Sequence, residues 1–215
     1  FVIIGESSNP RHWSAYNYFR DTTPWALAQR RGNPNAIFFN RAYSCYTHTV
    51  PVLLKALTSA NQYNKEHEFS APSLLEVAKA AGFKVHWLSN QNKISLVDNP
   101  VTVLAEGADT VVFTSKSGAA TDADLLPLLD RTLKSLDLSE NNLVILHLIG
   151  SHAEYRKRYP GDFAPAFTTV KELPENTPAN EYFIENILNP YDTSIRYTDS
   201  ILQQVYRKFS ALPNP

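Results

Sequence analysis

From Leu143 to Ile149 the chain reads Leu-Val-Ile-Leu-His-Leu-Ile, a nearly unbroken apolar run followed at once by Gly150-Ser151-His152. A run this short and β-branched reads as a strand buried on both faces. A strand with two apolar faces needs cover on each, which a parallel sheet obtains from helices. Phe1-Val2-Ile3-Ile4-Gly5 is a shorter run of the same kind, and strand-like stretches recur at 36–43, 84–88 and 110–114. Helical stretches lie between them. The alternation predicts an α/β fold with a mainly parallel sheet and helices on both faces.

The helices carry start and stop signals. Thr22-Thr23-Pro24-Trp25 opens one that runs to Arg31, with a threonine cap, proline in the first turn and Gly32 as its close. Ser73 with Glu76 three residues later is a capping box, and Gly82 ends that helix. The stretch 122–136 carries a leucine stripe of helical period (Leu125, Leu126, Leu129, Leu133, Leu136). The stretch 181–209 is helical with a break expected at Asn189-Pro190. The segment 94–108 has no clear period, and 155–178 is an irregular stretch rich in proline and aromatics, long enough to be a functional loop.

Composition excludes several classes. The net charge of −1 gives no basic field for nucleic acid, and no apolar run reaches the ~20 residues of a membrane span. A hydrophobic content of 43% with 19% charged residues is that of a globular chain. The single cysteine, Cys45, has no partner within the chain, and methionine is absent. Phe1 begins in mid-strand and Leu212-Pro213-Asn214-Pro215 reads as a linker, so both ends look cut.

In open parallel sheets the ligand site lies beyond the carboxyl ends of the strands. That rule selects Glu6, the stretch from Asn90 to Lys93, and His152, each just past a strand. Thr49 joins them if 36–43 is a strand, because it opens the helix Val50-Pro51-Val52-Leu53-Leu54 that follows. Pro51 suits a first helical turn, which makes Thr49 or Val50 the cap. A hydroxyl there sits at the positive end of the helix dipole, suited to an anion. It is either a cap or a nucleophile, and Ser44 and Thr47 compete for the second role. A free alcohol needs activation to attack at neutral pH, which a bound zinc ion supplies. Glu6 is placed as a hard oxygen ligand for such a metal, or as a carboxylate accepting bonds within its own turn. His152 is placed to bind metal or to stabilise a leaving group. His48 reads as a loop histidine, His147 as a satisfied core histidine, and Arg156-Lys157-Arg158 as either a solvated face or a contact for an anionic head group.

Five blocks, in order, carry a resemblance: Ile3-Ile4-Gly5-Glu6-Ser7-Ser8; Tyr18-Phe19-Arg20-Asp21-Thr22-Thr23-Pro24; Ser44-Cys45-Tyr46-Thr47-His48-Thr49 before Val-Pro; 146–152 with Lys157-Arg158-Tyr159-Pro160; and 189–199. Through them the chain resembles the bacterial phosphoethanolamine transferases of the alkaline phosphatase and sulfatase superfamily. The resemblance implies that 1–215 is a single, partial sulfatase-like catalytic domain whose C-terminal part is missing. It implies a location at the periplasmic face of the bacterial inner membrane, with anchoring by N-terminal helices absent here. It implies phosphatidylethanolamine as donor, and lipid A, the LPS core or a periplasmic glucan as acceptor. Thr49 matches the family's nucleophile and a ligand of Zn2+, Glu6 matches a zinc ligand, and His152 matches the histidine that meets the phosphoryl group or a second metal. Asn90 and Lys93 match its donor-binding loop.

Two departures follow. Cys45 lacks the partner with which many relatives close the nucleophile loop, and the Asp-His pair expected after the last helix is missing. The isolated segment is therefore expected to bind zinc weakly and not to turn over. Two other functions fit the same residues: a sulfatase or phosphodiesterase that passes the group to water, and a non-catalytic relative that binds an envelope glycan. The Cys/Ser-x-Pro-x-Arg signature of sulfatases is absent from the loop at Ser44 to Thr49.

Overall fold

The computed structural model describes residues 1–92, 100–114, 121–163, 167 and 180–213. The chain divides into two compact units. One comprises Phe1–Ile4, Phe39–Gly118 and Pro127–Leu148, the other Gly5–Phe38, Ala119–Leu126 and Ile149–Pro215.

The first unit holds a wholly parallel sheet of β1 (Val2–Ile4), β2 (Phe83–Ser89), β3 (Thr110–Phe113) and β4 (Asn141–His147), in the order β1-β4-β2-β3. The longest apolar run thus becomes an inner strand, paired with β1 (Ile3 opposite Leu146) and with β2 (Trp87 opposite Ile145). Parallel neighbours need crossover connections. Three α-helices, α1 (Pro24–Gly32), α2 (Thr49–Ala56) and α3 (Leu74–Ala80), separate β1 from β2 in sequence; α4 (Pro100–Ala105) separates β2 from β3, and α5 (Leu125–Ser135) separates β3 from β4.

One face of the sheet, made by Ile4, Val85, Trp87 and Ile145, packs with Leu53, Leu57, Leu75, Val101 and Ala105 from the helical segments. Each large side chain buried in this way stabilises the unit by about 1.5–3 kcal/mol. Alternate strand residues Leu88, Val144 and Leu146 are buried too, as a strand with two apolar faces requires. Trp87 is wholly buried, with its ring edge-on to His147 at 5.8 Å between centroids. The capping box at α3 forms as expected: Ser73 Oγ accepts from the Glu76 amide, and the Glu76 carboxylate accepts from the Ser73 amide. Gly82, at φ +85°, follows this helix in the left-handed conformation that glycine adopts most easily.

The strand expected at 36–43 is not formed. No strand is assigned there, and Ile37, Phe39 and Tyr43 are 79%, 72% and 88% exposed. An apolar, aromatic run becomes a strand only beside a neighbour that takes its backbone bonds, and none of β1 to β4 pairs with it. The unclear 94–108 stretch contains α4, while residues 93–99 lie outside the described residues.

The second unit is organised by the helical run at its C-terminal end: α6 (Glu181–Phe183), a π-helical segment Ile184–Leu188, and α7 (Asn189–Ser210). The expected break is a local widening, not an interruption. Pro190 offers no N–H and its ring crowds the carbonyl four residues back, so the turn before it opens to i→i+5 bonding.

The helix α1 (Pro24–Gly32) is capped from a distance. Thr23 occupies the cap position, but its hydroxyl accepts from the Ala15 amide and lies 3.1 Å from Ser14 Oγ. The first-turn amides of Trp25 and Ala26 instead donate to the carboxylate of Asp199 on α7, at 2.8 and 3.1 Å. Burial raises the pKa of Asp199 from 3.8 to about 6 against the lowering effect of those two bonds. Gly32 is the last helical residue, not a left-handed terminator, and Asn33 takes the closing position in extended conformation.

Candidate functional site

The candidate residues fall in both units, and each group is built differently. In the second unit Glu6 follows β1 directly, in the turn Gly5-Glu6-Ser7. Its carbonyl oxygen accepts from the Ser151 amide at 3.0 Å, and its Oε1 accepts from Ser7 Oγ at 2.8 Å. The backbone of Gly150, at φ +50°, lies so close that a Cβ there would sit 2.7 Å from the Glu6 carbonyl oxygen and 3.0 Å from its nitrogen. Only glycine fits that contact in that conformation.

The turn containing Gly150 is fixed in its own right. The buried carboxylate of Asp122 accepts from the amides of Ile149 and Gly150 at 2.8 and 2.9 Å. His152 comes next, its side chain exposed and its amide donating to Ile149 O at 3.2 Å. Glu6 and the His152 loop are thus brought together, joined through the bond from Ser151.

The other side of the Glu6 turn is held by the first residues of α7. The Tyr191 hydroxyl accepts from the Asn9 amide at 2.8 Å and donates to the Ser7 carbonyl at 2.9 Å. The wholly buried Asp192 beside it meets Arg20 Nη1 at 2.7 Å, the Tyr18 hydroxyl at 2.9 Å and His12 Nδ1 at 2.8 Å. Burial, together with the negative charge of Asp192, pushes the Tyr18 phenol well above its ordinary range, so it remains a donor. The motif from Tyr18 to Pro24 and the Asn189–Asp199 motif are therefore halves of one buried polar network. Sequence reasoning assigned no role to Tyr191, Asp192, Asp122 or Gly150. Three of them, Gly150, Tyr191 and Asp192, lie inside motifs already noticed, but the partners are too distant in sequence for spacing to reveal.

In the first unit Thr49 is the first residue of α2 and half-buried. The cap is His48, not Thr49 or Val50: its carbonyl accepts from Val52 N at 3.3 Å, and Pro51 falls third in the first turn. Without a strand at 36–43, the place of Thr49 rests on its loop and helix alone. Ser44, Thr47 and His48 are exposed; Thr47 Oγ1 lies 3.1 Å from His48 Nδ1. Cys45 is half-buried and makes no disulfide.

Asn90 follows β2 and is fully buried, its amide donating to His147 O at 2.9 Å and its Oδ1 accepting from Thr114 Oγ1 at 2.5 Å. Lys93 lies outside the described residues. His147 is a buried strand residue packed on Trp87, as expected of a core histidine. The basic run is not a uniformly solvated face. Lys157 pairs with Glu154 at 2.7 Å, Arg156 donates to Glu185 O, and Arg158 is buried, which lowers its pKa.

Among the described residues, no three His, Cys, Asp or Glu side chains come together as a metal site. Glu6 supplies one hard oxygen donor, fewer than a zinc ion needs. No helix among the described residues is long and apolar enough to cross a membrane.

The sulfatase family model matches residues 1–215. The chain belongs to the sulfatase family. Within it, the chain is 30% identical over 214 residues to the phosphoethanolamine transferase EptC of Escherichia coli O18:K1:H7 (strain RS218 / NMEC), covering 98% of this chain and 36% of that protein. It spans, then, little more than a third of the length of this curated relative. The fold superposes on the C-terminal periplasmic domain of EcEptC from Escherichia coli in complex with Zn, with a TM-score of 0.87 and 29% identity over 98% of this chain and 58% of that one. It also matches the soluble domain of lipooligosaccharide phosphoethanolamine transferase A from Neisseria meningitidis, with a TM-score of 0.76 and 25% identity over 96% and 60% of the two chains. The sulfatase-like α/β fold and the similarity to phosphoethanolamine transferases both agree with the expectation from sequence.

Proposed function

We propose that these residues belong to a periplasmic catalytic domain that transfers phosphoethanolamine from phosphatidylethanolamine to an envelope acceptor of the lipid A, LPS-core or glycan class. The observation that carries the reading is the likeness, over 98% of the chain, to the periplasmic domain of a phosphoethanolamine transferase in complex with Zn. Thr49 at the start of α2 is the nucleophile. Its Oγ attacks phosphorus, the bond from phosphorus to the diacylglycerol oxygen breaks, and that oxygen leaves with a proton. An acceptor hydroxyl then attacks the same phosphorus, gives up its proton and returns Thr49 to its free form. Thr49 opens α2, and the positive end of a helix dipole favours an anionic group such as phosphoryl at that position.

In this reading Glu6 is a candidate oxygen ligand of zinc and Thr49 a candidate ligand as well as nucleophile, each assigned by likeness to the family. A zinc ion would supply a lowered pKa to such a hydroxyl, as it does to water. His152, exposed beside the Glu6 turn, meets the phosphoryl group, and Asn90 with Lys93 belongs to the loop that receives the donor head group.

In the full-length protein with a fluorescent phosphatidylethanolamine donor, Thr49→Ala should abolish release of labelled diacylglycerol while Thr47→Ala retains some. The reverse pattern would refute the assignment of the nucleophile. Headgroup delivered to water at the wild-type rate, with or without acceptor, would replace transfer by hydrolysis.

A further inference from the structure

The apolar run at 36–43, left without a strand partner, is exposed where it enters the first unit. Single apolar side chains at a surface are ordinary, but several large ones in close succession are not. From Phe39 to Tyr46, wholly within the first unit, the chain reads Phe-Asn-Arg-Ala-Tyr-Ser-Cys-Tyr. Phe39, Tyr43 and Tyr46 are all exposed. Among the described residues, Arg41 and Tyr43 make no side-chain hydrogen bond, ion pair or ring contact. Water is a poor medium for rings of this size, so a row of them marks a contact surface.

Charge says what that surface meets. No acidic residue occurs between Asp21 and Glu66, while Arg30, Arg31, Arg41, Lys55 and Lys65 fall in that interval of a chain whose net charge is −1. Lys55 is committed to Glu68 at 2.7 Å, but Arg41 is exposed. A basic interval without acids fits a partner whose outer groups are phosphates. Tyrosine suits the same partner, since its ring enters the acyl boundary while its hydroxyl stays among the head groups.

We propose that Phe39–Tyr46 is a membrane-contacting segment, with Phe39, Tyr43 and Tyr46 seated at the boundary between head groups and acyl chains and Arg41 on lipid phosphate. The segment ends three residues before Thr49, a span of at most about 10 Å. Seating it therefore brings the start of α2 to the layer in which phospholipid head groups lie.

The test places a nitroxide on the full-length protein in vesicles of phosphatidylethanolamine and phosphatidylglycerol, at Tyr43→Cys or at Tyr63→Cys, in a background free of other cysteines. Tyr63 is the control: it lies in the same unit and is 93% exposed, but its neighbours Asn61, Gln62, Asn64 and Lys65 are polar. Oxygen, which partitions into the bilayer, should reach the label at 43, and a water-soluble nickel chelate should not; at 63 the chelate should reach it. A label at 43 as open to the chelate as that at 63 would overturn the proposal. One shielded from both reagents would replace the bilayer by a protein surface.

Kinetics supplies a second arm, which rests on the proposed transfer. Tyr43→Ser should raise the KM for donor lipid presented in vesicles about 10-fold, and Arg41→Ala about 5-fold, with kcat on a short-chain monomeric phosphatidylethanolamine unchanged. Equal losses on both donors would show a local effect on Thr49 and overturn the proposal. The depth measurement stands apart from that reading. A protein that consumes neither donor yet seats the label at 43 in lipid loses the transfer and keeps the membrane contact.

Discussion

From Glu6 to Asn9 the backbone is gripped on two sides, by the Gly150–Ser151 turn and by the Tyr191 hydroxyl, with Asp122 and Asp192 anchoring the grips. From Ser44 to His48 the side chains are mostly exposed and bond to near neighbours, as Ser44 does to Tyr46 and Thr47 to His48. One stretch carries the proposed ligand, the other leads to the proposed nucleophile. A ligand carboxylate must be aimed before the metal arrives, and orienting it in advance lowers the cost of binding. A nucleophile that forms and releases a covalent adduct on a bulky lipid substrate needs room around it. Substitutions in the first region should therefore cost stability, and those in the second should cost activity alone.

The largest effect is expected at Asp192→Asn, which leaves the Arg20 guanidinium buried without its counter-charge. A loss of about 3–5 kcal/mol in urea unfolding is expected. Gly150→Ala comes next, at about 3 kcal/mol, combining the cost of positive φ with a Cβ driven against the Glu6 backbone. A well-folded Gly150→Ala with unchanged midpoint would break the comparison at its strongest point.

Asp199 offers a pH test in the same unit. Its folded pKa, about 6, lies above the ordinary 3.8, so the folded state holds this proton more tightly than the unfolded one. The contribution is fully present below about pH 4 and is lost as pH rises through about 6, a change on the order of 3 kcal/mol. Asp199→Asn should flatten the stability profile across that window. At the small end, Ser44→Ala and Thr47→Ala should each move the unfolding free energy by less than about 0.5 kcal/mol. Losses above about 1 kcal/mol would show that this loop is as firmly built as the Glu6 turn.

The sheet and the capped helices were legible because their signals are local. The apolar run of β4, the brief one of β1 and the Ser73–Glu76 box each carry their cause within a few residues. The stretch 36–43 misled for the opposite reason: its aromatics satisfy the strand pattern, but a strand also needs a partner, and no residue in the run encodes one. His48, not Thr49, became the cap because Pro51 is tolerated anywhere in a first turn where its missing N–H has no partner to lose. The rule of strand ends picks out Glu6 and His152, whose segments the fold joins through the Ser151 amide. It does not reach Tyr191, which grips Ser7 and Asn9 from 184 and 182 positions away.

Trp87 gives the first unit an optical label. Its indole is fully shielded from water, whereas Trp13 and Trp25, the other two of three tryptophans, lie in the second unit and are only partly covered. A chain with Trp13 and Trp25 replaced by phenylalanine would emit from the sheet alone, at the short wavelengths of a dry indole. Set beside the converse Trp87→Phe chain, its melting curve would reveal whether the two compact units unfold in one step or in two.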